Sequence, residues 1–99
     1  MEIGNRIAFL RTAKQYSVNK LANKAGISQS YLRDIELDKK KPTIDTLYYI
    51  CEGLGISLYD FFDDNFQNSL SNDPVLGKIY QLTPEQRTLL LKFLNSIIE

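Results

Sequence analysis

The chain has 99 residues, 43% of them hydrophobic, and its 12 Lys/Arg offset 12 Asp/Glu. That suits one small packed domain with a short appendage, and it is too apolar and too evenly charged for a disordered tail. A single cysteine and the absence of histidine exclude an intrachain disulfide, an ordinary structural zinc site and the Ser-His or Cys-His pairs of nucleophilic catalysis, so neither enzyme chemistry nor a metal or cofactor is expected.

The chain opens on Met-Glu-Ile-Gly-Asn-Arg, without the charged-then-apolar pattern of a secretory leader, and no run approaches the roughly 18 apolar residues of a membrane span. A cytoplasmic protein with no membrane contact is expected. Breakers and caps then cut the chain into short helices, and no segment alternates with the period of a strand. Ile3, Ile7, Leu10 and Lys14 share one face of a first helix, apolar until its end. Ser17 is placed to cap a second, with Leu21, Ala22 and Ala25 inward and Gly26 as its stop. Ser28 is placed to cap a third running to about Leu37, with Leu32 and Ile35 inward. Lys39-Lys40-Lys41-Pro42 forms a turn. Thr43 caps a fourth helix carrying Ile44, Leu47, Ile50 and Leu54, ended by Gly53 and Gly55. Ser57 starts a fifth, with Asp60 as its capping-box partner and Phe61 and Phe62 closing the core.

Beyond residue 62 the pattern changes. Residues 63–73, DDNFQNSLSND, are polar and turn-rich and are expected to form a linker. Pro74 opens a segment bearing Val75, Leu76, Ile79 and Leu82. Thr83-Pro84-Glu85-Gln86 combines a cap, a proline at the first helical position and a box residue, and predicts a last helix over about 84–98. Its leucines, with Phe93, Ile97 and Ile98, make a stripe too wide to leave in water. That stripe either folds back on the first domain or pairs with the same segment of another chain. The division expected is residues 1–62, a linker over 63–73, and a helical segment over 74–99.

Charge follows the same division. Residues 1–62 hold nine Lys/Arg against seven Asp/Glu, whereas residues 63–99 hold three against five. A local basic patch matters more to a phosphate backbone than the neutral total. Two short helices meeting across Ala25-Gly26-Ile27-Ser28 give a helix-turn-helix layout, with glycine for the positive-φ turn and an apolar residue tucked beneath it. The outer face of the second helix is polar at its start: Gln29, Ser30, Arg33 and Asp34.

The segments IAFLR (7–11), LANKAGIS (21–28), QSYLRDIE (29–36), KKPT (40–43) and TLYYICEGLGIS (46–57), in this order and spacing, resemble the phage repressor and Cro family, also called the xenobiotic-response-element family. The resemblance covers about the first 62 residues. It implies an all-α fold, a five-helix lambda-repressor-like DNA-binding domain followed by a short helical dimerisation segment. It also implies a sequence-specific transcriptional regulator, a repressor by expectation, that binds an inverted-repeat operator of double-stranded DNA as a homodimer. Gln29, Ser30, Arg33 and Asp34 then correspond to the base readers, and Asn19, Lys20, Tyr31, Lys39, Lys40 and Lys41 to the phosphate contacts. Arg11 and Glu36 match a structural pair tying the first helix to the reading helix. Leu76, Ile79, Leu82, Leu90, Phe93, Leu94 and Ile97 are the residues expected at the dimer interface.

Two positions depart from the family. Val18 stands where a phosphate-binding Gln is frequent, and Leu37-Asp38 where Asn-Gly is frequent; aspartate tolerates the left-handed conformation that turn needs. Plainer readings stand beside these: the lysines as a solvated loop, Gln29 and Ser30 as ordinary helix-start residues, Arg33 paired with Glu36 or Asp34, Cys51 as a core thiol, and Tyr48 and Tyr49 as packing residues. The alternative function is a helix-turn-helix module that binds a protein partner, as an antirepressor, antitoxin or adaptor does, with weak or no DNA binding. The roughly 26 residues beyond the expected linker are too few for a conventional effector pocket, so control through a partner protein, proteolysis or concentration is expected.

Overall fold

The computed structural model describes residues 2–98, and all regular structure among them is helical. The order is α1 (Ile3–Ala13), α2 (Val18–Ala25), α3 (Gln29–Glu36), α4 (Ile44–Leu54), α5 (Leu58–Phe62), α6 (Asp64–Asn72), α7 (Pro74–Gln81) and α8 (Pro84–Ile98). Hydroxyl caps set most of the starts. The side chains of Ser17, Ser28, Thr43 and Ser57 accept from the backbone N–H three residues on, at 3.0–3.1 Å, which satisfies one orphan donor at each helix start and stabilises it by about 1 kcal/mol. At α8 the box is reciprocal: Gln86 N–H donates to Thr83 Oγ1, and Thr83 N–H donates to Gln86 Oε1.

One apolar cluster joins α1 to α5. Ile7, Leu10, Leu21, Leu32, Ile50, Leu54 and Phe61 are fully buried in it. Cys51 lies in the same cluster, and burial, with Asp60 nearby, pushes its thiol up to about 11. It is a core thiol and not a reactive one. Phe62 departs from expectation: it sits edge-on to Phe61 but is 46% exposed, because Phe61 alone points into the short α5's buried side. Gly53 likewise lies inside α4, against Leu21 and Lys24 of α2, and Gly55 at φ 75° is the residue that ends the helix.

Within the stretch 63–73, expected as a linker, Asp64–Asn72 form the helix α6. Asp63 caps α6 by accepting from Asn65 N–H. One face of α6 then turns inward: Phe66 meets the Tyr80 ring edge-on, and Gln67 Nε2 donates to the Asp60 carbonyl. Arg6 of α1 pins the α5–α6 corner by donating to the Phe61 carbonyl and to the Asp64 carboxylate. α6 and α7 pack as a hairpin, with Asp73 capping α7.

The hairpin returns to the first domain at the end of α1. Tyr80 is 4% exposed, and its hydroxyl donates to the Leu10 carbonyl. Lys14 Nζ donates to the Tyr80 carbonyl at 2.7 Å and lies 4.3 Å from the ring centroid. α7 thus folds back on the end of α1. α8, which bears the predicted stripe, has no buried residue: Leu90 and Leu94 are half-buried toward α7, and Leu89, Leu91, Phe93, Ile97 and Ile98 are exposed. No helix among the described residues is long and apolar enough to cross a membrane.

Desolvation, with Arg87 and Lys24 nearby, lowers the Lys14 pKa from 10.5 to about 8. Between those two values the unfolded chain binds more protons than the folded one, so this group adds stability as pH rises from 8 towards 10.5 and adds none below 8. The wild type is expected to gain stability relative to a Lys14→Met variant over that window, read from urea unfolding of both proteins at pH 7 and pH 10. A constant difference between them would contradict the buried ammonium.

Candidate nucleic-acid interface

The helix-turn-helix begins with how α2 stops. Gly26 adopts φ 72°, and Ile27 N–H reaches back to the Ala22 carbonyl at 3.0 Å. The left-handed residue turns the chain sharply enough for Ser28 to cap α3 two residues later. α3 buries Leu32 and Ile35 and leaves Gln29, Ser30 and Arg33 exposed on its other side.

Two contacts with α1 hold this helix. Gly4 lies against the end of α3, where any β-carbon would collide with the Ile35 carbonyl oxygen and come within 2.8 Å of that of Glu36. Arg11 grips Glu36 with two hydrogen bonds, Nε to Oε2 at 2.7 Å and Nη2 to Oε1 at 3.0 Å, and donates a third to the Tyr16 carbonyl at 2.9 Å. The Glu36 side chain is 9% exposed and that of Arg11 15%. Fork-to-fork geometry of this kind fixes orientation as well as distance.

After α3 the chain folds back onto it. Asp38 takes φ 64°, the left-handed conformation expected of it. Lys39 N–H and Lys40 N–H both donate to the Asp34 carbonyl, at 2.8 and 3.3 Å. The Lys40 ammonium lies 3.6 Å from the Asp34 carboxylate and 5.8 Å from the Tyr31 ring centroid. Asp34, Tyr31 and Lys40 therefore form one cluster at the edge of the polar face, with Lys39 and Lys41 exposed beside it. The Asp34–Lys40 pair is solvated, at 33% and 59% side-chain exposure, so its hold is weak, about 1 kcal/mol or less. Arg33 forms no salt bridge among the described residues.

Asn19 and Lys20 are exposed in the first turn of α2, and Lys20 lies 4.5 Å from the Tyr16 ring centroid. Lys24, one turn on, reaches the same ring at 5.6 Å. Tyr16 and Lys24 escaped the sequence reading, although a Lys pair at i and i+4 next to a tyrosine was visible in it. No cluster of potential metal ligands occurs among the described residues.

The residues expected at a dimer interface divide by position. Ile79, Leu82, Leu90 and Leu94 are half-buried along an apolar groove of about 440 Å³ between α7 and α8. Leu76, Phe93 and Ile97 are exposed, at 40%, 60% and 61%.

A family model described as a helix-turn-helix domain matches residues 4–65. The immunity repressor protein of Bacillus phage phi105 is 40% identical over 58 residues, 59% of this chain and 40% of that protein. The HTH-type transcriptional regulator SinR of Bacillus subtilis is 36% identical over 66 residues, 66% of this chain and 60% of SinR. The chain thus spans about half the length of these curated relatives. A solved structure of a SinR protein/SinI protein complex aligns over 98% of this chain and 82% of its own, with 28% identity and a TM-score of 0.58.

Glu36→Ala would leave the Arg11 guanidinium partly buried and unpaired. The expected loss is about 3 kcal/mol in urea unfolding. Glu36→Gln keeps an acceptor and the shape and should lose clearly less. Equal and small losses in both variants would mean that the pair does not hold α3.

Proposed function

The chain belongs to the helix-turn-helix domain family, and on that footing we propose that it is a sequence-specific transcriptional regulator, a repressor, that occupies an inverted-repeat operator as a homodimer. The observation that carries this reading is the two-sidedness of α3: Leu32 and Ile35 are buried on one side, while Gln29, Ser30 and Arg33 are exposed on the other beside a lysine-rich turn.

A helix held in this way enters the major groove by its N-terminal end. Gln29 matches the donor–acceptor edge of adenine, Arg33 the two acceptors of guanine, and Ser30 suits either; a good bidentate pair discriminates by about 1–3 kcal/mol. Asp34 accepts from cytosine N4 once Lys40 leaves it for a phosphate, an exchange helped by the weakness of their solvated pair. Lys39, Lys40, Lys41, Asn19, Lys20 and Tyr31 are the phosphate contacts of this reading, and they position the protein without reading sequence. The names of similar proteins, an immunity repressor and a SinR-type regulator, support the class of function, which is binding and not catalysis.

The dimer is argued from α8 and from its groove on α7. Inverted half-sites lie about one helical turn, roughly 34 Å, apart and require a two-fold partner. A second copy laying its own α8 across Phe93 and Ile97 would cover an apolar face that this chain leaves in water. The same face favours a second reading, binding of an apolar helix from another protein. The similar solved structure is titled as SinR in complex with SinI, which supports a protein partner as a regulator of the first activity.

Lys40→Ala is expected to weaken binding to all duplexes alike and to flatten the salt dependence of log K by about one in slope, measured by fluorescence anisotropy. Leu94→Asp should give a folded monomer in sedimentation equilibrium. A dimeric Leu94→Asp protein would move the interface elsewhere, and a Lys40→Ala slope equal to the wild type would remove Lys40 from the phosphate contacts.

A further inference from the structure

Three helices end around Lys14. It is itself the residue that closes α1. Its ammonium donates to the Tyr80 carbonyl in the last turn of α7. It also lies beside Gly55, the end of α4, where a β-carbon would stand 3.3 Å from Nζ. The last carbonyls of a helix lack intrahelical donors and carry its negative pole. The charged groups facing Lys14 are Arg87 from α8 and Lys24 from α2, both cations, and no carboxylate lies within salt-bridge distance of it among the described residues. A backbone carbonyl at the end of α7, and not an acid, therefore accepts from the ammonium.

The exchange runs in both directions. The Tyr80 hydroxyl donates to the Leu10 carbonyl at 3.2 Å, and Gln81 Nε2 donates to the Ala13 carbonyl at 3.2 Å. α7 thus supplies donors to the carbonyls at the end of α1, and α1 supplies one to α7. These three hydrogen bonds, with the ammonium over the Tyr80 ring, fix the direction of α7 relative to the domain that carries α3. Helix α6 bridges the same two parts, where a flexible coil would have left them free to turn.

We propose that Lys14, Tyr80 and Gln81 are positioning residues that set the spacing of operator half-sites. This rests on the dimeric operator reading given above. If α7 and α8 form the two-fold interface, the direction of α7 decides where the partner's α3 stands. Each added base pair moves a half-site by about 3.4 Å and turns it by about 35°. A rigid dimer can follow that change only by deforming the DNA, whereas a dimer joined through coil follows it at little cost.

The test uses a duplex selected by the wild-type protein, together with versions carrying one base pair more or less between its half-sites. The full-length wild type, Gln81→Ala and Lys14→Met are compared by anisotropy, with circular dichroism for folding and sedimentation velocity for oligomeric state. The wild type is expected to lose at least about tenfold in affinity on either spacing change, and the variants, still dimeric, less than about threefold. Folded, dimeric variants that keep the wild-type penalty would overturn the proposal, as would a wild type indifferent to spacing. Should Lys14→Met not fold, Gln81→Ala decides, since it removes a half-buried side chain and a single hydrogen bond. A wild type that sediments as a monomer on single half-sites would defeat the dimeric reading itself, and would do so before any spacing is altered.

Discussion

The meeting of α1 with the end of α3 is the constraint on which the interface depends. Gly4 lets the two backbones approach to a distance no side chain would allow, and the Arg11–Glu36 fork fixes the angle at which they meet. A buried ion pair of this sort adds little net stability, because desolvation offsets most of the attraction. What it supplies is orientation. On the proposed reading α3 presents Gln29, Ser30 and Arg33 to base edges, and it is only eight residues long. Such a helix has little stability of its own. Its place is set by Leu32 and Ile35 beneath it and by α1 at its far end.

The surface above α3 combines strong and weak attachments. Glu36 is committed to Arg11, whereas Asp34 is held only by a solvated lysine. The first carboxylate is structural and the second is free to be exchanged. On the proposed reading, a phosphate near Lys40 would release Asp34 towards a base, and one side-chain movement would couple backbone contact to readout. The C-terminal hairpin depends on a different device. Its end is docked by three hydrogen bonds between the ends of α1 and α7, one of them from Lys14, while Phe93 and Ile97 of α8 stay exposed.

Much of this was legible in the residues. Ser17, Ser28, Thr43 and Ser57 announced four helix starts because a hydroxyl cap acts on the backbone three residues away, within the reach of a sequence pattern. Gly26 and Asp38 announced the left-handed turns for the same reason. Residues 63–73 were misleading because their composition is polar while their geometry is amphipathic. Phe66, Gln67 and Leu70 face inward at helical spacing, but two apolar side chains in eleven residues are a faint signal, and the partner of the buried Gln67 Nε2 is the Asp60 carbonyl, seven residues back. Lys14 marked the polar end of an apolar face. Its partner, the Tyr80 carbonyl, lies 66 residues away, and no local pattern encodes a contact of that range. Phe62 was assigned to the core through its neighbour, although a helix of five residues turns only one of the two inward.

The central claim is that the exposed face of α3 reads DNA as half of a two-fold pair. Selection from a random duplex pool by the full-length protein at near-physiological salt, followed by sequencing, tests it most directly. The account predicts an enriched inverted repeat with half-sites about one helical turn apart, and a Gln29→Ala protein whose enriched sequence relaxes at one position in each half. A folded wild-type protein that enriches no sequence would contradict it.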